Sequence, residues 1–202
     1  TVKLEIEEMK TSNMSFGQVD IDALHESEVW EIDVESEQLA GHVSYQDKSG
    51  PQSLKLGLVY LKLKTDKNKS DEKAQDYDPL SFPGFELKVD KFFLDATELG
   101  KLTATVNKTP TGLFMETMGL ESKSLSLSAS GEWAMHKEGQ STRLQAKLES
   151  SDFSELLNSL GYEAALTAEN SKGVVQLEWA GSPMQVSSEN INGSLSLNIR
   201  DG

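Results

Sequence analysis

Residues 124–133, SLSLSASGEW, alternate serine with leucine or alanine. An α-helix would scatter those apolar residues around its circumference, whereas a β-strand sends successive side chains to opposite faces and gathers them on one. The step of two recurs along the chain: Leu4 and Ile6; Val19 and Ile21; Trp30, Ile32 and Val34; Leu39, Val43 and Tyr45; Leu54, Leu56 and Leu58; Val59, Leu61 and Leu63. It returns at Phe85, Leu87 and Val89; Leu102, Ala104 and Val106; Leu144, Ala146 and Leu148; Val175, Leu177 and Trp179; Leu195, Leu197 and Ile199. Such strands, joined by short Gly, Asn, Asp and Ser connections, predict a largely antiparallel all-β meander with one apolar and one polar face.

Two segments interrupt the pattern. Residues 66–84, DKNKSDEKAQDYDPLSFPG, are charged and aperiodic and contain two prolines, which predicts a mobile loop dividing a first β-segment (1–65) from a second (85–202). The other predicts one short amphipathic helix near 152–160. Asp152 and Glu155 have capping-box spacing, Phe153, Leu156, Leu157 and Leu160 follow at i, i+3, i+4 and i+7, and Gly161 stands where a helix stops.

The halves echo each other. Residues 4–23 align with 87–106 at a constant offset of 83, placing Gly17 on Gly100 and Phe16 on Leu99, and Gly41 and Gly131 correspond farther along. Repeated units share a continuous apolar surface and need neighbours to cover it. Gly41, Gly100 and Gly131 are expected to mark bends or bulges that curl the sheet.

Several function classes find no support. Cysteine is absent, so thiolate chemistry and disulfides are excluded. The formal net charge of −14 argues against nucleic acid and against polybasic attachment to anionic headgroups. No run approaches the ~18 apolar residues of a membrane-spanning helix, and no signal-peptide pattern opens the chain. Beginning at Thr1 and ending on a strand-like run, the sequence reads as a piece of a longer chain, with any signal or anchor outside it. No cofactor or metal is expected. His25, His42 and His136 are scattered without ligand spacing, and SDEK at 70–73 matches S-x-x-K only in isolation. Acidic pairs such as Asp20 with Asp22 read as a solvated strand face. The chain is not expected to be an enzyme.

What covers the apolar face is the question that decides function. About a dozen apolar rows and one helix permit either a closed β-sandwich, which patterning alone favours, or a face left open as a groove. The closed form would serve as a scaffold or protein-interaction module, using exposed strand edges.

Several stretches bear on that choice: FELKVDKFFLDATELGKLTATV (85–106), SLSLSASGEW, TRLQAKLESSDFSELLNSLGY (142–162) and VQLEWAGSPMQVSSENINGSLSLNIRDG (175–202). Together they resemble the C-terminal region of the YhdP branch of AsmA-like proteins. The step at Trp179, Gly181, Ser182 and Pro183, followed by the L/I-x-G-x-L-x-L run INGSLSL (191–197) and the closing Asp-Gly, is the most specific element. Residues 29–63 resemble the strand block that precedes that region, so the resemblance spans nearly the whole chain in order.

The resemblance implies a bridge-like lipid-transfer protein: a long, twisted, curled, mostly antiparallel sheet forming a taco-like apolar groove that holds phospholipid acyl chains. It further implies a periplasmic location, an N-terminal inner-membrane anchor outside this sequence, transport between inner and outer membranes, and possible contact with outer-membrane components. In such a groove the lining candidates are Leu125, Leu127, Leu144, Leu148, Val175, Leu177, Leu195 and Leu197, with Leu87, Val89, Leu102 and Val106 behind them. Phe153, Leu156, Leu157 and Leu160 are candidates for a lid or plug. As residues alone, all of these are equally consistent with ordinary core or helix-on-sheet packing. Trp133 and Trp179, ending apolar rows, belong either at a groove rim or as plugs of the sheet end.

Overall fold

The structure, a computed structural model, describes residues 1–10, 15–46, 54–64, 77–152, 154, 170–187 and 189–200. Its strands are β1 (Val2–Ile6), β2 (Met9–Lys10), β3 (Ser15–Phe16), β4 (Val19–Glu26), β5 (Val29–Ser36), β6 (Leu39–Gln46) and β7 (Leu54–Leu63). They continue with β8 (Phe85–Leu94), β9 (Thr97–Thr109), β10 (Gly112–Glu121), β11 (Leu125–His136), β12 (Gly139–Ser150), β13 (Asn170–Ala180) and β14 (Asn192–Arg200). Short 3-10 turns occupy Pro79–Ser81 and Pro183–Gln185.

Twelve strands make one sheet in the order β1-β4-β5-β6-β7-β8-β9-β10-β11-β12-β13-β14, while β2 and β3 pair with each other apart from it. The sheet has β1 and β14 as its edges and does not close into a barrel, so the all-β, mostly antiparallel expectation holds. Two-residue links at 27–28, 37–38, 95–96, 110–111 and 137–138 explain why sequence neighbours become antiparallel sheet neighbours.

One pair departs from the meander. β7 and β8 run parallel, Leu54 opposite Phe85 and Leu63 opposite Leu94. Parallel neighbours require a connection that travels back along the full strand, and residues 64–84 supply its length. Residues 65–76 of this connection lie outside the described residues. Residues 77–84 pack at the sheet end: Pro79 is fully buried, Phe82 meets Trp133 with ring centroids 5.6 Å apart, and Gln140 Nε2 donates to the Tyr77 carbonyl at 2.8 Å.

The internal repeat is visible in the pairing. Val2, Leu4 and Ile6 face Ala23, Ile21 and Val19. Adding 83 to each number yields Phe85, Leu87 and Val89 facing Val106, Ala104 and Leu102, as they do. The two copies share this register, although residues 7–18 separate β1 from β4 and only two residues separate β8 from β9.

Gly100 and Gly41 stand at register shifts, as expected of bulge positions. Gly100 has φ of +107°, and a Cβ there would overlap the Glu121 carbonyl, so the bulge needs glycine. The expected helix near 152–160, with Phe153, Leu156, Leu157 and Leu160, lies outside the described residues.

Candidate functional site

Strand register converts the alternation into a surface. One row crosses every strand of the sheet: Val2, Ala23, Ile32, Val43, Leu56, Leu87, Ala104, Met118, Ala129, Ala146, Val175, Leu195. The adjacent row reads Leu4, Ile21, Val34, Gly41, Leu58, Val89, Leu102, Leu120, Leu127, Leu148, Gly173, Leu197. A third row on the same side starts at His25, Trp30 and Tyr45 and ends at Leu144 and Leu177. Cross-strand partners share a face, so these rows form one apolar surface without a charged side chain in the first two.

Leu87, Val89, Leu102, Val106, Leu125, Leu127, Leu144, Leu148, Val175, Leu177, Leu195 and Leu197 all fall on this face, but not in one environment. Val89, Val106 and Leu125 are buried, with exposures of 3%, 6% and 7%. Leu127, Leu148 and Leu102 pack against a cluster of Leu99, Leu120 and Leu125. Leu87, Leu144, Val175 and Leu177 are half-buried. Toward the edges the same face opens: Leu195 is 70% exposed, and Val2, Leu4 and Leu197 are exposed as well. In the middle, the packing among the described residues is of Phe92, Leu94, Leu102, Leu127 and Leu148 on Leu99, Leu120 and Leu125.

The two ends of the face differ. At one end Trp133, Thr142 and Trp179 stand in register, and all three are buried. Trp133 Nε1 donates to Gln140 Oε1 at 2.9 Å, and Trp179 Nε1 donates to the Ser182 carbonyl at 2.8 Å. Their indoles are therefore end plugs bonded to protein, not rim residues with wet N–H groups. The Trp179–Pro183 step is a turn that locks this plug. Thr142 Oγ1 donates to the Gly181 carbonyl at 2.8 Å, the Ser182 N–H to Gln185 Oε1 at 2.7 Å, and Gly181 has φ of +103°. At the other end Leu125, Ser150, Ser171 and Ile199 stand in register, and the two serines are buried at 5% and 1% exposure.

The opposite face is polar. Lys3 pairs with Asp22 at 2.6 Å, Arg143 with Glu132 at 3.1 Å and Lys172 with Glu149 at 2.9 Å. His42 lies between Asp33 (Nδ1 to Oδ1, 2.9 Å) and Glu31 (Nε2 to Oε2, 2.7 Å). The hydrogen bond to Asp33, then that to Glu31, raises its pKa above the ordinary value against a small desolvation effect. The other histidines serve local packing: His25 stacks on Trp30 and His136 Nε2 meets Ser141 Oγ at 3.1 Å. No cluster of three His, Asp or Glu suited to a metal ion occurs among the described residues.

A hollow of about 570 Å³ over β1 and β4–β6 is lined by Leu4, Ile21, Val34 and Gly41 of the second apolar row together with charged residues such as Lys3, Asp20 and Glu35. A second, of about 270 Å³, lies at the serine end.

A family model described as YhdP protein matches residues 1–202. The chain belongs to the YhdP family. No curated protein and no solved structure matches it. In this YhdP-family chain the motifs that resemble the family most, the Trp179–Pro183 step and the β14 alternation, build a plug and an exposed edge respectively. Sequence reasoning missed the buried pair Ser150 and Ser171. Their positions within alternating strands were the available signal, since they occupy apolar-face parity with polar side chains.

Proposed function

We propose that this chain is a non-enzymatic, lipid-binding segment of a periplasmic bridge, whose open apolar face holds phospholipid acyl chains and supports phospholipid movement between inner and outer membranes. One observation carries the reading: two charge-free rows run unbroken across all twelve strands of a sheet that stays open at both edges. Soluble surfaces rarely leave contiguous apolar area beyond roughly 300–600 Å² without a partner for it. An acyl chain suits such a face because it offers only CH₂ surface, and at about 0.8 kcal/mol per CH₂ a chain of roughly sixteen carbons gains on the order of 12 kcal/mol on full burial. Membership in the YhdP family supports the same reading.

Native mass spectrometry with lipid extraction tests it, using protein purified from bacterial membranes without harsh detergent. The expected result is co-purifying phospholipid that is lost in Leu195→Asp and Leu197→Asp, whose exposed side chains let the fold persist. Leu127→Asp is a poorer probe, because Leu127 packs on the Leu99–Leu120–Leu125 cluster and its loss also unfolds. Protein that arrives lipid-free and refuses added phospholipid overturns the reading and leaves pairing through the β1 and β14 edges as the better account.

A further inference from the structure

We infer that the serine end of the apolar face is a binding site for the phosphate of the lipid headgroup, formed by Ser171, Ser150 and Lys123. This rests on the acyl-chain reading of the same face and adds where the polar end of the lipid sits.

The hollow of about 270 Å³ at this end is lined by Ser122, Lys123, Ser124, Ser150, Ser171 and Lys172, among others. Ser171 is 1% exposed and its Oγ has no hydrogen-bond partner. A hydroxyl buried without a partner is costly, so such groups in folded proteins are usually met by water or by a ligand. Its cross-strand neighbour Ser150 accepts from the Asp152 N–H at 3.2 Å, and Ser122 accepts from the Leu125 N–H at 3.2 Å, so each serine's own proton is available to an incoming acceptor. The charges suit an anion. Glu149, the carboxylate in the lining, is neutralised by Lys172 at 2.9 Å, while Lys123 makes no ion pair among the described residues. A phosphodiester brings a single negative charge and acceptor oxygens, and ammonium and hydroxyl donors are what it binds.

Position ties the site to the apolar face. Ser150 and Ser171 lie on the apolar-face parity, one step of two residues, about 7 Å, beyond the row of Leu127, Leu148, Gly173 and Leu197. A headgroup held there leaves its acyl chains over that row. The opposite end also has a buried hydroxyl without a partner, Ser182 Oγ, but it lies in the turn behind the Trp133 and Trp179 plug, and the hollow with the lysine is at the Ser150–Ser171 end.

The test compares binding of a short-chain phosphatidylglycerol with that of a diacylglycerol bearing the same chains, by calorimetry on the 202-residue chain, on Lys123→Ala, on Ser171→Ala and on the double variant. The expected result is a preference of about tenfold for the phospholipid, the effect of one charge-assisted hydrogen bond. The variants erase that preference while diacylglycerol affinity stays unchanged. Lipid-free Ser171→Ala is expected to melt at the same temperature or higher, since it removes an unpaired polar atom. No preference in the wild type, or a preference that survives in the double variant, overturns the site while leaving the acyl-chain reading intact. A lower melting temperature for lipid-free Ser171→Ala assigns the hydroxyl a structural bond and likewise overturns it. Inorganic phosphate that binds as tightly as the phospholipid, without competing with it, makes this a free-phosphate site and overturns the headgroup assignment. If neither lipid binds, the acyl-chain reading fails and the headgroup site fails with it.

Discussion

His42 shows how much a single side chain on the polar face can report. Bonded on one ring nitrogen to Asp33 and on the other to Glu31, it favours its protonated form when folded. A group whose folded pKa is raised contributes stability that is complete below its unfolded value, near 6.5, and is lost as pH climbs through the folded value. His42→Gln is therefore expected to narrow the stability gap between about pH 6 and pH 8, with an effect below about 1 kcal/mol because the ring is half exposed. Urea midpoints at the two pH values measure it, and an NMR titration midpoint of His42 at or below 6.5 would sink the assignment. Gly181 is the contrasting case, since φ of +103° strains any residue with a Cβ and the Gln185 side chain would have to move aside for one. Gly181→Ala is expected to cost about 1–3 kcal/mol in urea unfolding. It should also raise the exposure of Trp179, read as a red-shifted emission that the parent lacks. The sequence singled out Gly181 only as part of a family-like step. Its positive φ follows from the turn that ties Ser182 to both Trp179 and Gln185.

At the scale of the strand, equal patterns have unequal consequences. β11 and β14 both alternate Ser and Leu, but Leu127 leans on a buried cluster, whereas Leu195 on the edge strand is 70% exposed. Leu127→Ala is expected to lower stability by roughly 2–3 kcal/mol, toward the small end for a core leucine because it is only partly buried. Leu195→Ala should stay within about 0.5 kcal/mol, as surface changes do. Chemical denaturation of the pair measures the contrast, and equal losses would mean that β14 is covered. All the lining candidates were legible as one face, because parity along a strand is a local property. Their division into packed and open positions was not, because it depends on how many neighbours a strand has.

At the scale of the whole sheet, interior strands have partners on both sides and edge strands on one. Hydrogen exchange is expected to be slowest in β8–β11, around Val89, Val106, Leu120 and Ala129, and fastest in β1 and β14. Uniform protection across all twelve strands would argue that the edges are paired in solution. The parallel β7–β8 junction belongs to this scale too. It joins two antiparallel halves that repeat one strand-pair register.

Alternation of apolar and polar residues by itself determined that the chain is all-β and how its strands divide into two faces, and the constant offset of 83 showed that residues 4–23 and 87–106 resemble each other. These follow from geometry within a strand or between adjacent strands, which a sequence records directly. Only the tertiary structure decided that the sheet stays open, that β7 and β8 run parallel, that Phe82 and the two tryptophans close one end, and that Ser150 and Ser171 mark the other. The physical reason is that burial and closure are sums over distant neighbours. Identical Ser-Leu strands at the centre and the edge of one sheet carry the same local pattern and differ only in what stands beside them.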